Sequence, residues 1–237
     1  MYALILAGGK GERLRPLTDT LPKPMAPVCG RPILERQVEW LKDGGVEGVV
    51  FLAGYRWEAI RDHFGDGAGF GIGAEYSVED SPLGRGGAIK QGYPLAPPGD
   101  EPLVVTNGDI ITRQPLSEIV EFHKESPARR NGPAVTLLAV PMVSPYGLVD
   151  MDDDGGVVGF REKVELPHWI NGGVYVFDRE VFPEFPDLGD HEVETFPRLA
   201  QAGRIAAFRT RSFWTSIDSF KDLREAEEFI AREDAAS

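Results

Sequence analysis

The chain has 237 residues, 42% apolar and 27% charged, the balance of an ordinary globular protein long enough for a sizeable core. A formal charge of −13 argues against nucleic acid or an anionic membrane as the main partner. A single cysteine, Cys29, excludes an intrachain disulfide and a cysteine-built zinc site. No run of about 18 apolar residues is present to span a membrane, and the expected compartment is a reducing, cytoplasmic one.

Tyr2–Ala7 reads as a strand rather than a signal peptide, because the apolar run is short and no basic segment precedes it. Residues 1–36 carry six bases and three acids, leaving −16 for the remainder, so a small anion held near the N-terminus competes with a merely solvated loop. Ile33, Leu34, Gln37, Val38 and Leu41 keep a helical spacing that Gly44-Gly45 ends. Val49–Ala53, Ala74–Ser77 and Leu103–Thr106 follow as strands. Trp57–Phe64 and Gly86–Tyr93 are weaker helical patterns, and Leu116–Lys124 is a stronger one. Such alternation predicts an α/β fold, a Rossmann-like, mostly parallel sheet flanked by helices, with ligands beyond the carboxyl ends of its strands.

The second half has a different texture. Ala134–Val140, Gly172–Phe177 and Ile205–Arg209 read as strands, and Val193–Ala202 and Phe220–Arg232 as helices. Leu148–Met151 and Val157–Arg161 flank Asp152-Asp153-Asp154-Gly155-Gly156, a hairpin turn by its residue types; it lacks the ligand spacing of a calcium loop. There is no internal repeat. His63, His123, His168 and His191 are scattered, and none pairs at metal-ligand spacing.

Strand one runs into Gly8-Gly9-Lys10-Gly11-Glu12-Arg13-Leu14. Leucine at position 14 breaks a dinucleotide fingerprint, and glycine after Lys10 breaks a Walker loop. The physics still suits an anion: glycines let backbone N–H groups turn toward phosphate oxygens, and Arg13 and Lys23 supply charge. Pro22 and Pro24 restrict the backbone on either side of Lys23. Asn107-Gly108-Asp109, at the end of a strand, offers either a turn residue or a magnesium ligand.

From Leu4-Ile5-Leu6-Ala7-Gly8-Gly9-x-Gly11-x-Arg13-Leu14-x-Pro16-Leu17-Thr18 through Pro22-Lys23-Pro24-Met25-x-Pro27-Val28 and on to Gly30-x-Pro32-Ile33, the chain resembles the sugar-1-phosphate nucleotidyltransferases. That family usually has threonine where this chain has Glu12. The resemblance runs over roughly residues 2–229. It implies the nucleotide-diphospho-sugar transferase fold: a mixed, mostly parallel sheet with a small β-rich sugar-binding lobe. One domain, 1–237, is expected, with nucleotide in about 1–130 and sugar in about 131–237.

The resemblance also implies roles. Arg13 and Lys23 are to bind the triphosphate and steady the leaving pyrophosphate. Asp109 and Asp218 are to hold Mg²⁺, Asp218 closing the segment Phe213-Trp214-Thr215-Ser216-Ile217-Asp218. An N-cap for the following helix is the other reading of Asp218. Leu6, Ala7, Gly8, Gly9, Gly11, Asn107 and Gly108 are to line the nucleotide site. The loop Glu79-Asp80-Ser81-Pro82-Leu83-Gly84 is to read the base, with Glu79, Pro82 and Gly84 foremost. Tyr146, Gly147, Glu162, Lys163, Asn171 and Gly172 are to hold the sugar and its phosphate, with Lys163 among the catalytic residues. A carboxylate at Glu79 or Asp80 suits guanine first and cytosine next. The late Trp-to-Asp segment is closer to the glucose-1-phosphate cytidylyltransferases, and the base loop to the mannose and manno-heptose guanylyltransferases. Arg85, where threonine is usual, faces either a phosphate or water.

The implied reaction joins an NTP to a sugar 1-phosphate and releases pyrophosphate. GTP with a mannose- or heptose-type 1-phosphate is the leading pair, and cytidylyl, thymidylyl or uridylyl transfer is the alternative. Other acceptors, a catalytically silent nucleotide-sugar-binding subunit and a glycosyltransferase are the rival readings. The last would place its Asp-x-Asp motif on the 150–154 hairpin. A homo-oligomer is left open.

Overall fold

The computed structural model describes residues 1–99 and 101–236. Its first half contains β1 (Tyr2–Leu6), β2 (Pro27–Val28), β3 (Arg31–Pro32), α1 (Ile33–Asp43), β4 (Gly48–Ala53), α2 (Glu58–Phe64), β5 (Gly73–Val78), α3 (Gly84–Gly92), β6 (Leu103–Asn107), β7 (Ile110–Thr112) and α4 (Leu116–Glu125). The second half contains β8 (Val135–Val143), β9 (Leu148–Met151), β10 (Val157–Arg161), β11 (Glu165–Phe177), α5 (His191–Gln201), β12 (Ile205–Arg209), β13 (Trp214–Ser216) and α6 (Phe220–Ala236).

Among the described residues, seven strands form one sheet in the order β12-β8-β11-β6-β1-β4-β5. β1 pairs in parallel with β4 and β6, β4 with β5, and β8 with β12. β11 runs against both its neighbours and makes the sheet mixed. Alternate residues of the same strands feed the two faces, as the period of a strand requires. Ala3, Ile5, Val49, Phe51 and Val104 pack on one side. Leu4, Val50, Leu52, Val105, Tyr175 and Phe177 pack on the other. Burial on both faces explains why β4, Gly-Val-Val-Phe-Leu-Ala, is apolar throughout rather than alternating.

α1 buries Ile33, Leu34, Gln37, Val38 and Leu41 along one stripe. It ends where Gly45 takes φ 86° and Val46 N–H reaches back to the Leu41 carbonyl. The hairpin β9–β10 forms as expected, and Asp152 Oδ1 accepts from the N–H groups of Asp154 and Gly156. That carboxylate is thereby engaged in the turn itself.

Several boundaries differ from the sequence reading. β11 starts at Glu165, seven residues before the expected Gly172, and β8 continues to Val143. The two pair beyond the core, with a register shift between Asn171 and Tyr175 where Gly173 has φ 67°. The short pairs β2–β3 and β7–β13 carry no apolar alternation long enough to announce them. A third core cluster, with Leu14, Val28, Ile33, Ile111, Ile217, Ala226 and Ile230, packs α6 onto the N-terminal loop and β7. This packing brings residue 218 beside residue 13. No helix among the described residues is long and apolar enough to cross a membrane.

Candidate active site

β1, β4, β5 and β6 end side by side, and the segments leaving them enclose a cavity of about 960 Å³. Its lining includes Leu6, Gly8, Gly9 and Gly11 at and after the end of β1, Gly54 and Tyr55 after β4, Glu79 to Pro82 after β5, and Asn107 to Asp109 at and after β6. The parallel register makes this convergence. Leu6 lies opposite both Leu52 and Asn107, so three strands release their chains at one level. Ala7 is the exception among the expected nucleotide-site residues. It is buried, and its N–H donates to the Leu52 carbonyl, so it belongs to the sheet rather than to the cavity lining.

Two glycines are required by close approach. Gly11 has φ 61°, and a Cβ there would stand 2.6 Å from Lys23 Cβ. Its carbonyl accepts from Thr18 Oγ1 at 2.8 Å, which pins the loop across Lys23. Gly108 N–H donates to the Leu6 carbonyl at 2.9 Å, and a Cβ would lie 2.6 Å from that oxygen.

Lys23 opens a short 3-10 turn, Lys23–Met25, between its two prolines. Its Nζ donates to Asp109 Oδ2 at 2.6 Å and to Asp218 Oδ1 at 2.7 Å. Arg13 Nη2 donates to the same Asp218 oxygen at 2.8 Å, and Ser216 Oγ donates to Oδ2 at 2.7 Å. Burial opposes the ionisation of Asp218, but the hydrogen bonds from Lys23 and Ser216 and the charges of Lys23 and Arg13 outweigh it. Its carboxyl is therefore held below the ordinary carboxylate range. The helix-cap reading of Asp218 is corrected. Ser219 caps α6 by accepting from Asp222 N–H, and Asp222 reciprocates by accepting from Ser219 Oγ and Asp218 N–H. That exchange leaves the Asp218 carboxylate to the cavity.

Asp109 and Asp218 converge on one cation, Lys23 Nζ. Two hard oxygen donors meeting at a shared positive charge are of the kind that could hold a magnesium ion, with phosphate oxygens or water left to complete its shell. Among the described residues no cluster of three His, Cys, Asp or Glu side chains forms a complete protein cage.

The base loop is organised by the protein itself. Glu79 Oε2 accepts from Leu83 N–H at 2.8 Å, and its Oε1 lies over Gly8 and Gly54. Arg85, although it lines the cavity, faces neither phosphate nor water alone. Its guanidinium forks onto Asp190 and Glu192.

The residues expected at the sugar lie apart from the Lys23 cluster. None of Tyr146, Gly147, Glu162, Lys163, Asn171 and Gly172 lines the first cavity. Lys163 has φ 52° and donates to Glu225 on α6 at 2.9 Å, lining a second cavity of about 520 Å³ with Arg211, Trp214, Ser216 and Lys221. Ser216 lines the second cavity and donates to Asp218, which lines the first, so the two meet along 216–218. Tyr146 is exposed, and the Phe160 ring and Glu162 Oε1 crowd Gly147. Asn171 Nδ2 donates to Tyr175 Oη and Glu192 Oε1, and Gly172 presents its carbonyl to Trp214 Nε1 at 2.8 Å.

Sequence reasoning missed Tyr55 and Ser216. Tyr55 follows a strand that had been recognised, so inspecting the residues after every strand finds it. Ser216 donates to Asp218 two residues on, within the segment already singled out for that carboxylate, so inspecting the neighbours of Asp218 finds it.

The model of the nucleotidyl transferase family matches residues 2–233. The mannose-1-phosphate guanylyltransferase of Mycobacterium tuberculosis is 35% identical over 229 residues, covering 93% of this chain and 62% of that protein. The UTP–glucose-1-phosphate uridylyltransferase of Synechocystis is 35% identical over 246 residues, covering 95% and 62%. The chain thus spans about three fifths of the length of the curated relatives it matches. Among solved structures, HddC from Yersinia pseudotuberculosis complexed with GMP-PN superposes with a TM-score of 0.74 at 27% identity, covering 97% of this chain and 99% of that one.

Proposed function

The chain belongs to the nucleotidyl transferase family, and from that premise we propose that it transfers a nucleotidyl group from an NTP to a sugar 1-phosphate and releases pyrophosphate. The observation that carries this reading is the meeting of Arg13, Lys23, Asp109 and Asp218 at the mouth of a cavity built by strand ends.

In this reading the nucleotide occupies the first cavity and the sugar phosphate approaches from the side of Lys163 and Asn171. A sugar-phosphate oxygen attacks the α-phosphorus. The bond from that phosphorus to the bridging oxygen breaks, and pyrophosphate departs with the electron pair. The nucleophile is already an anion, so no side chain must take a proton from it. The work of the chain is positioning and charge compensation. Lys23, 13% exposed and fixed by prolines, carries its charge at the point where the phosphates crowd. Arg13, on the exposed rim, neutralises the leaving pyrophosphate. Asp109 and Asp218 would hold Mg²⁺, which when bound offsets phosphate charge and orients the oxygens. Lys163 must exchange Glu225 for the sugar phosphate.

GTP with a mannose- or heptose-type 1-phosphate is the pair we favour. Support comes from the guanylyltransferase relatives and from the carboxylates of Glu79 and Asp80, which suit the paired donors of guanine. Uridylyl transfer is the second reading, favoured by the equal identity of the Synechocystis relative. We assign residues of about 1–130 to the nucleotide and 131–237 to the sugar, with Asp218 crossing between them, and a cytoplasmic location on the strength of the single cysteine.

The test is pyrophosphate release with Mg²⁺ from each of GTP, CTP, UTP and dTTP against mannose, glucose and heptose 1-phosphates. Release with GTP and a manno-configured acceptor supports the favoured pair. Release only with UTP and glucose 1-phosphate replaces it, and no release with any pairing overturns the enzymatic reading in favour of a silent binding subunit.

A further inference from the structure

Gly84, Gly86 and Gly87 let the start of α3 press against residues 186–191. Gly84 has φ 76°, and a side chain there would collide with the Gly189 carbonyl. Gly86 N–H donates to that carbonyl at 2.9 Å, and Gly189 N–H donates to the Leu83 carbonyl at 2.8 Å. The base loop is therefore docked on the segment that opens α5, and Arg85 locks the contact. Its Nε donates to Asp190 Oδ2 at 2.8 Å, and its Nη1 donates to Glu192 Oε1 at 2.7 Å.

That same Glu192 oxygen accepts two further donors: Tyr175 Oη at 2.7 Å and Asn171 Nδ2 at 3.0 Å. Asn171 is tied a second time, since its Oδ1 accepts from Gly173 N–H at 3.0 Å. Tyr175 is fully buried, and burial, followed by the charge of Glu192, raises its pKa, so it stays a hydroxyl donor. Two side chains therefore separate the nucleotide cavity, which Arg85 lines, from the strand position given to the sugar. One carboxylate oxygen joins them.

We propose that Glu192 is a positioning residue that couples the two substrate regions: it fixes the Asn171 amide for the acceptor and, through Arg85, ties that orientation to the loop lining the nucleotide cavity. The inference rests on the reading of both regions given under Proposed function. A carboxylate that holds a guanidinium, a phenol and an amide at one oxygen leaves none of them free to turn independently. A shift of the base loop on nucleotide binding therefore reaches Asn171, and by linkage a ligand at Asn171 biases the loop equally.

The test compares Glu192→Gln with Asp190→Asn in steady-state kinetics with the best substrate pair. Asparagine still caps α5, and Asp190 holds Arg85 without touching Asn171. Glu192→Gln is expected to raise KM for the sugar 1-phosphate about tenfold and KM for the NTP less, with kcat within about twofold. Asp190→Asn is expected to raise KM for the NTP more than KM for the sugar 1-phosphate, the reverse order of Glu192→Gln. Arg85→Met and Asn171→Ala are expected to combine non-additively on the sugar-phosphate KM. A lower Tm with both KM values unchanged in Glu192→Gln, or additive effects in the double variant, overturns the proposal. Wild-type turnover separately tests the assigned reaction. If the wild type binds GTP and mannose 1-phosphate without turnover, that reading fails and the same variants are compared by equilibrium Kd. Absence of both binding and turnover overturns the coupling as well.

Discussion

In the first cavity, Lys23 is 13% exposed and donates to two carboxylates; in the second, Lys163 is 70% exposed and donates to one. The first group is held by strand ends, flanking prolines and a crossing glycine loop. The second sits after β10 with φ 52°, and its partner is an exposed glutamate of α6. The contrast teaches a division of labour. Under the proposed function Lys23 stands in place before the reaction, because reorienting its charge during it would cost rate, whereas Arg13 meets the pyrophosphate from the exposed rim. Under the same proposal Lys163 has to exchange Glu225 for the sugar phosphate as it binds, and an exposed pair of small net worth allows that.

The contrast breaks most directly at Lys23 and Asp109. Lys23→Ala and Asp109→Ala are each expected to lower turnover by about 10²–10³-fold with the circular dichroism spectrum retained. Near-normal turnover in either refutes its assigned role. Lys163→Met is expected instead to raise KM for the sugar phosphate at little cost in Tm, and a loss of kcat as large as that of Lys23→Ala would erase the distinction between the regions.

His191 sharpens the comparison from the side of the core. It is fully buried against Phe185, Tyr175 and Phe196, and neither ring nitrogen has a hydrogen-bond partner, although Nδ1 lies 3.8 Å from Asp190 Oδ1. Burial lowers its pKa to about 4, against an opposing pull from Asp190 and a small reinforcement from Arg85. The unfolded chain therefore binds a proton that the folded chain refuses. The stability this confers is present above pH 6.5 and is lost as pH falls toward 4, by about 3 kcal/mol. His191→Phe is expected to flatten that slope in urea melts at pH 7, 6 and 5. A slope unchanged by the substitution assigns it to other groups.

Smaller effects follow at the seam and at the rim. Gly173→Ala places a Cβ 2.5 Å from Asn107 Nδ2 with φ at 67°, and is expected to destabilise by ~1–3 kcal/mol. Met151→Ser, on the exposed apolar face of β9–β10, is expected to change stability by less than about 0.5 kcal/mol. Equal effects from the two would mean that the hairpin is packed as tightly as the sheet.

The main-sheet strands and the helices of the first half were legible because each is announced within its own residues, by apolar runs of strand length, a helical stripe ended by Gly44-Gly45, and glycines after a strand; β2, β3 and β7 were not. Lys23 stood out locally between its prolines, whereas Asp109 by itself read as either a turn residue or a magnesium ligand and took its expected role from the family resemblance. The placing of Asp218 beside Arg13 and Lys23, the passage of α6 across the N-terminal loop, and the binding of Arg85 by Asp190 and Glu192 were not legible. Each depends on residues about 100 or 200 positions apart in sequence. Such contacts come from how two faces of a sheet and one amphipathic helix bury apolar area, a property of the assembled core that leaves no periodic trace in either partner. Local pattern determined which groups carry charge, and long-range packing decided which of them share a cavity.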